Sequence, residues 1–264
     1  MERLRHLARA DGADPLVLVR ETASALRGLG DDPAGLVVAC RRIVERHPTS
    51  GPLLWLCSHV VTAAEPYKVA RRLADDMEND PTIEAVSAGL APDSRVCTLG
   101  WPDVTADAII RRGDVAVLAV DTTDDADAFV RRLGRAGVMA ELVSASALTA
   151  AVLVADLVVI EAFAASGEEI LAPLGSRAAA SVAYCSGVPV VAVVGRGRRL
   201  PTRTYEAMID RITDVAAPWH TLAEIVPLGL CSQVAGPLGL QAAADANFAA
   251  ECPMAPELLT VSPN

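Results

Sequence analysis

Apolar residues recur at three- and four-residue spacing over Leu16–Leu29 and Ala34–His47, the pattern of amphipathic helices. Pro48-Thr49-Ser50-Gly51-Pro52 breaks that pattern, and Ser50 stands where it can cap a third helix over Leu53–Ala64. Glu65-Pro66 opens a fourth helix, Tyr67–Asn79, and Asp80-Pro81 with Gly89–Asp93 marks a change of regime. Beyond it, short apolar runs alternate with helical stretches. The strand Arg95–Leu99 precedes a helix Val104–Arg112; the strand Val115–Val120 precedes a helix Asp125–Ala136 closed by Gly137. The strand Met139–Val143 is followed by a short helix around Ala145–Val152, the strand Asp156–Ile160, a small-residue helix from Gly175-Ser176 to Gly187, and the strand Val188–Val194. Buried apolar runs separated by helices argue for parallel strands covered on both faces and joined by right-handed crossovers. The expectation is an α/β chain: a helical N-terminal region over residues 1–88, then a mostly parallel sheet with helices over 89–264.

Composition narrows the function. A formal net charge of -10 over 264 residues argues against general nucleic-acid binding, which needs phosphate neutralisation. Hydrophobic residues make up 52% of the chain, yet Asp156 and Glu161 break its richest segment, 150–165. With no apolar run of about 18 residues, no membrane partner is expected. The opening Met1-Glu2-Arg3-Leu4-Arg5-His6 lacks a signal-peptide hydrophobic region, so a cytoplasmic location is the expectation. The six cysteines have no paired C-x-x-C spacing, which predicts buried reduced thiols rather than a metal site or disulfide framework. Gly195-x-Gly197 lacks a third glycine at dinucleotide spacing and follows the last strand rather than the first, so no cofactor is expected.

Two features suggest a phosphorylated small molecule as ligand. Gly175-Ser176 presents backbone N–H groups at a helix start, which favours an anion. The loop Gly195-Arg196-Gly197-Arg198-Arg199 leaves the carboxyl end of a strand, where open α/β sheets bind ligands. Gly175, Ser176, Arg196, Arg198 and Arg199 are the candidate ligand-binding residues. The alternative for the arginines is a solvated loop.

The order of these pieces resembles one family: the alpha, beta and delta subunits of initiation factor 2B, with methylthioribose-1-phosphate isomerase and ribose-1,5-bisphosphate isomerase. Gly175-Ser176 stands for the family's Gly-Thr, Gly187-Val188-Pro189 for its Gly-Val-Pro, and Pro256-Glu257-Leu258-Leu259-Thr260 for its closing Pro-Glu-Leu-Ile-Thr. The likeness covers roughly residues 90–260. It implies a Rossmann-like, NagB/RpiA/CoA-transferase-like domain, and a homodimer or pairing with a related subunit.

The resemblance also implies a Cys after the first strand and an Asp in Gly-Ala-Asp as proton-handling groups. Counting back from Gly175 puts Ala162 at that Asp, with Glu161 adjacent, and Ala172-Pro173 at the family's Asn-Lys. Gly100 falls at the Cys, with Cys97 three residues earlier. Asp121-Thr122-Thr123-Asp124 matches Glu-Thr-Arg-Pro, with Thr123 replacing the phosphate-handling Arg. Cys97, Glu161 and Asp121 are therefore the candidate catalytic residues. For each there is a plain alternative: Cys97 packs in the core, and Glu161 is a strand-end charge facing solvent. Two readings follow: a regulatory or ligand-binding protein without the isomerase residues, or a diverged aldose–ketose isomerase of a pentose phosphate.

Overall fold

The computed structural model describes residues 14–29, 32–213, 216–221, 223–246 and 248–259. Among the described residues five helices come first: α1 (Pro15–Leu26), α2 (Pro33–Arg46), α3 (Gly51–Thr62), α4 (Pro66–Glu78) and α5 (Thr82–Gly89). Their starts follow from local chemistry. Asp14, Asp32 and Ser50 each accept a hydrogen bond from a first-turn N–H of α1, α2 and α3, and proline opens each helix where its missing N–H costs nothing. The expected helix to Leu29 ends at Leu26 and tightens into a 3-10 turn over Arg27–Leu29.

The strands and helices of the second region are β1 (Arg95–Leu99), α6 (Asp103–Arg112), β2 (Ala116–Asp121), α7 (Ala126–Arg135), β3 (Met139–Ser144), α8 (Leu148–Val154), β4 (Leu157–Glu161), β5 (Ala164–Ser166), β6 (Glu169–Ala172), α9 (Ser176–Ser186), β7 (Val190–Val193), α10 (Thr202–Ile212), β8 (Glu224–Pro227), β9 (Gln233–Gly236) and β10 (Gly239–Ala242). Seven strands form one sheet in the order β10-β9-β7-β4-β1-β2-β3, parallel except for β10. This is the expected mostly parallel α/β sheet. A second, antiparallel sheet, β5-β6-β8, was not foreseen. β5 and β6 are too short to show an alternating pattern, and the turn between them carries Gly167 and Glu168.

Alternation along the strands divides the core. Cys97, Leu99, Val120, Val158, Ile160 and Ala192 point to the side covered by α8 and α9. Val96, Val117, Ala119, Val159, Val191 and Val193 point to the side covered by α5, α6 and α7. A third cluster, centred on α3 and its fully buried Leu53, Leu54 and Leu56, also takes in Leu171, Leu200, Tyr205, Met208 and Leu258. The first four helices thus share a core with β6, α10 and the end of the chain, while α5 packs on the sheet. Among the described residues no helix is long and apolar enough to cross a membrane.

Candidate functional site

The connections set the site. From β1 the chain runs outward to β2 and β3, then returns to the other side of β1 to form β4. Ligands of open α/β sheets bind outside the carboxyl ends of the strands at such a reversal. Here that place lies between Leu99-Gly100 and Glu161-Ala162.

Glu161 fills it. Its side chain is buried and lies on the α6 side of the sheet, not in solvent. One oxygen accepts Thr105 N–H and Thr105 Oγ1–H, both at 2.9 Å. The other accepts Val104 N–H at 3.3 Å and the Arg198 Nη2–H at 2.8 Å. Pro102, at the cap position of α6, has no side-chain oxygen to give. The unpaired N–H groups of the helix start are satisfied by a carboxylate from the neighbouring strand, which the helix dipole also favours. The chain's own anion therefore sits where a ligand anion would.

Arg132 and Asp103 extend the cluster. Asp103 accepts Trp101 Nε1–H at 2.6 Å and Arg132 Nη1–H at 3.2 Å, while Arg132 Nη2 reaches Asp107 at 2.6 Å. Burial first, and then the charges of Glu161 and Asp14, push the Asp103 carboxyl from 3.8 up to about 7, against the opposing pull of Trp101 and Arg132. Asp103 and Thr105 escaped the sequence reading because a charge or hydroxyl in a helix's first turn looks like ordinary capping chemistry.

The basic loop is internal rather than solvated. Arg198 is 3% exposed and paired with Glu161. Arg199 Nη2 pairs with Glu251 at 2.8 Å, and both side chains are largely buried. Arg196 N–H donates to Asp80 at 2.7 Å, and Gly197 N–H to Glu251 at 2.9 Å. Gly197 has φ +78, and a Cβ there would stand 3.0 Å from the Trp55 ring, so glycine lets the loop lie on α3. The Glu251 carbonyl receives Trp55 Nε1–H at 3.2 Å and meets His59 Nε2 at 2.8 Å. Carboxylates from three separate segments hold this loop.

The remaining candidates do not converge on Glu161. Cys97 lies on the opposite face of the sheet, fully buried, with burial pushing its thiol up to about 12. Its register partner on β4 is Val158, three positions before Glu161. Asp121 ends β2 and accepts the Ala126 N–H of α7 at 3.4 Å. Gly175 has φ +86, with Thr122 and Leu99 crowding the place of a Cβ. Ser176 is fully buried, its hydroxyl unpartnered among the described residues. The Arg177 N–H at this helix start donates to Glu224 at 2.6 Å. Thr260, the last residue of the closing motif, lies outside the described residues. No group of three or more His, Cys, Asp or Glu among the described residues is placed to hold a metal.

About nine-tenths of the chain superposes on known structures. Translation initiation factor eIF-2B from Pyrococcus horikoshii OT3 matches with a TM-score of 0.76 at 12% identity, over 90% of this chain and 95% of that one. The fold is that of initiation factor 2B subunits. The beta subunit from Chaetomium thermophilum matches with a TM-score of 0.63 at 14% identity, over 92% of this chain and 88% of that one. A chain of the tetrameric beta2-delta2 complex from the same organism gives 0.67 at 16%, over 92% and 90%. The likeness read from Gly175-Ser176 and Gly187-Val188-Pro189 thus holds for the fold, and identities this low carry no residue roles across. No protein-family profile and no curated protein matches the chain.

Proposed function

We propose that this chain is an initiation factor 2B-like regulatory protein that works by assembly, as a homodimer or with a related subunit, and does not interconvert sugar phosphates. The observation that carries this reading is Glu161. Its carboxylate takes the N–H groups of α6 and the guanidinium of Arg198, the donors a bound phosphate would need. The thiol expected to share in proton transfer, Cys97, is sealed on the far side of the sheet. Acid–base catalysis needs its groups within reach of one carbon pair, and these two groups do not share a cleft.

One observation favours the second reading, a diverged isomerase. The Asp103 carboxyl, raised to about 7, lies beside Glu161 at the strand reversal, and a group titrating near neutrality suits general acid–base work. In that case Asp103, not Cys97 or Asp121, handles the proton. The two readings separate in a phosphorus NMR assay of the purified chain with ribose 1,5-bisphosphate and methylthioribose 1-phosphate. The regulatory reading expects no product after prolonged incubation. Conversion that disappears in Asp103→Asn, with folding intact by circular dichroism, would replace it with the isomerase reading.

A further inference from the structure

Helices α2 and α3 are consecutive, joined by the four residues 47–50, and packed on each other. Residues equidistant from such a turn stand at matching heights on the two helices. Eight residues, 41–48, lie between Cys40 and the middle of the turn, and eight more, 49–56, between that point and Cys57. The buried stripe of α2, Leu36, Cys40 and Val44, is matched in this register by Val61, Cys57 and Leu53 of α3, all in one core.

Both cysteines are fully buried, and both are free thiols in this structure. The two thiols hydrogen-bond to each other; that bond first, and then burial, raises the Cys57 thiol well above its ordinary range. A direct thiol–thiol hydrogen bond leaves no side chain between the two sulfurs. Of the other four cysteines, only Cys252 shares this core cluster, and Cys185 on α9 is exposed.

Burial shapes the chemistry open to the pair. Thiol–disulfide exchange needs a thiolate and a sulfur that can reach one another. In the packed chain neither sulfur is exposed and Cys57 holds its proton tightly, which shuts out a dissolved disulfide. In the folding chain both thiols are open. The thiolate of one attacks a sulfur of oxidised glutathione, giving a mixed disulfide and releasing one glutathione thiolate. The thiolate of the other attacks the protein sulfur of that mixed disulfide, closes the Cys40–Cys57 bond and releases the second glutathione. The chain gives up two electrons and two protons, and oxidised glutathione is reduced by them to two thiols. Once the helices pack, the same burial keeps glutathione from reopening the bond.

We infer that Cys40 and Cys57 are a redox pair whose state, dithiol or disulfide, is set while the chain folds and kept by the native packing. The disulfide ties α2, which holds the Glu257 carbonyl through Arg41, to α3, which meets the Glu251 carbonyl through Trp55 and His59. A chain folded under oxidising conditions therefore carries a stiffer helical region. This goes beyond the assembly reading above and does not rest on it.

The test refolds urea-unfolded wild type with oxidised or reduced glutathione, alkylates it and maps the peptides by mass spectrometry. Oxidised glutathione is expected to give a Cys40–Cys57 cross-linked peptide, and a melting temperature about 5–10 °C above that of the reduced form. Cys40→Ala is expected to remove both the cross-link and the shift. Applied to the native chain, the same reagent is expected to form the bond about a hundredfold more slowly, while the exposed Cys185 takes up glutathione. Cell-free synthesis in the two redox buffers repeats the comparison without a refolding step. No cross-link, or Cys57 joined to Cys252 instead, overturns the pairing. Native protein that oxidises as fast as unfolded protein overturns the claim that packing keeps the state.

Discussion

Asp103 carries the clearest consequence at the scale of one residue. Its carboxyl is held neutral in the folded chain chiefly by burial, and then by the Glu161 charge, up to about pH 7. In the unfolded chain it ionises near 3.8. Between those values the folded state keeps a proton that the unfolded state has lost, so this group's contribution to stability falls as the pH rises. It is fully present below about 3.8 and gone above about 7. Urea denaturation of wild type and Asp103→Asn, from pH 4 to 8, measures this. The wild type is expected to lose stability relative to the variant across that window. Parallel profiles would mean that Asp103 ionises in the folded state as it does in water.

At the scale of elements, the Glu161–Arg198 pair joins three: the end of β4, the start of α6 and the loop after β7. Both side chains are nearly sealed from water. Removing one partner leaves a charge with nothing to balance it, a change that costs about 3–5 kcal/mol in comparable buried pairs. Arg198→Met is expected to destabilise the protein by that order in chemical denaturation. Adding Glu161→Gln is expected to recover a good part, because the amide oxygen still accepts from Thr105 without carrying a charge. A double variant no more stable than Arg198→Met would show that the carboxylate matters for its hydrogen bonds and not its charge.

The same elements show what the sequence makes legible. The strand Arg95–Leu99 is where the pattern puts it, and Ser50, Gly137 and Gly187 mark turns or caps that follow from residue chemistry alone. The small sheet β5-β6-β8 and α10 are absent from the sequence reading, because β5 and β6 are too short to show a period and α10 lies between two matched motifs, Gly187-Val188-Pro189 and Pro256–Thr260. In the site, the sequence groups Cys97 with Glu161, and the register of β1 on β4 puts them on opposite faces. What parity cannot give is the partner of each charge. Arg198 meets Glu161 from 37 residues away, Arg199 meets Glu251 from 52, and Arg196 meets Asp80 from 116. Such pairs depend on the packed fold, and a basic loop in sequence looks the same whether it faces solvent or three carboxylates.

For the whole molecule, the two sides of the central sheet do different things. One side closes the strand reversal with an internal carboxylate and ties the helical region to the α/β region through Asp80, Trp55 and Glu251. The other leaves a neutral, apolar surface over α8 and α9. The fold is that of initiation factor 2B subunits, and the proposed function takes Glu161 as the group that occupies the ligand position in it. The most direct measurement is calorimetric titration of ribose 5-phosphate, and of inorganic phosphate, into the wild type and into Glu161→Ala. No heat of binding is expected with the wild type, and phosphate binding at Arg198 and the α6 start is expected once the carboxylate is gone. Saturable binding to the wild type, lost when Arg198→Met is introduced, would contradict the account and return the strand reversal to use as a ligand site.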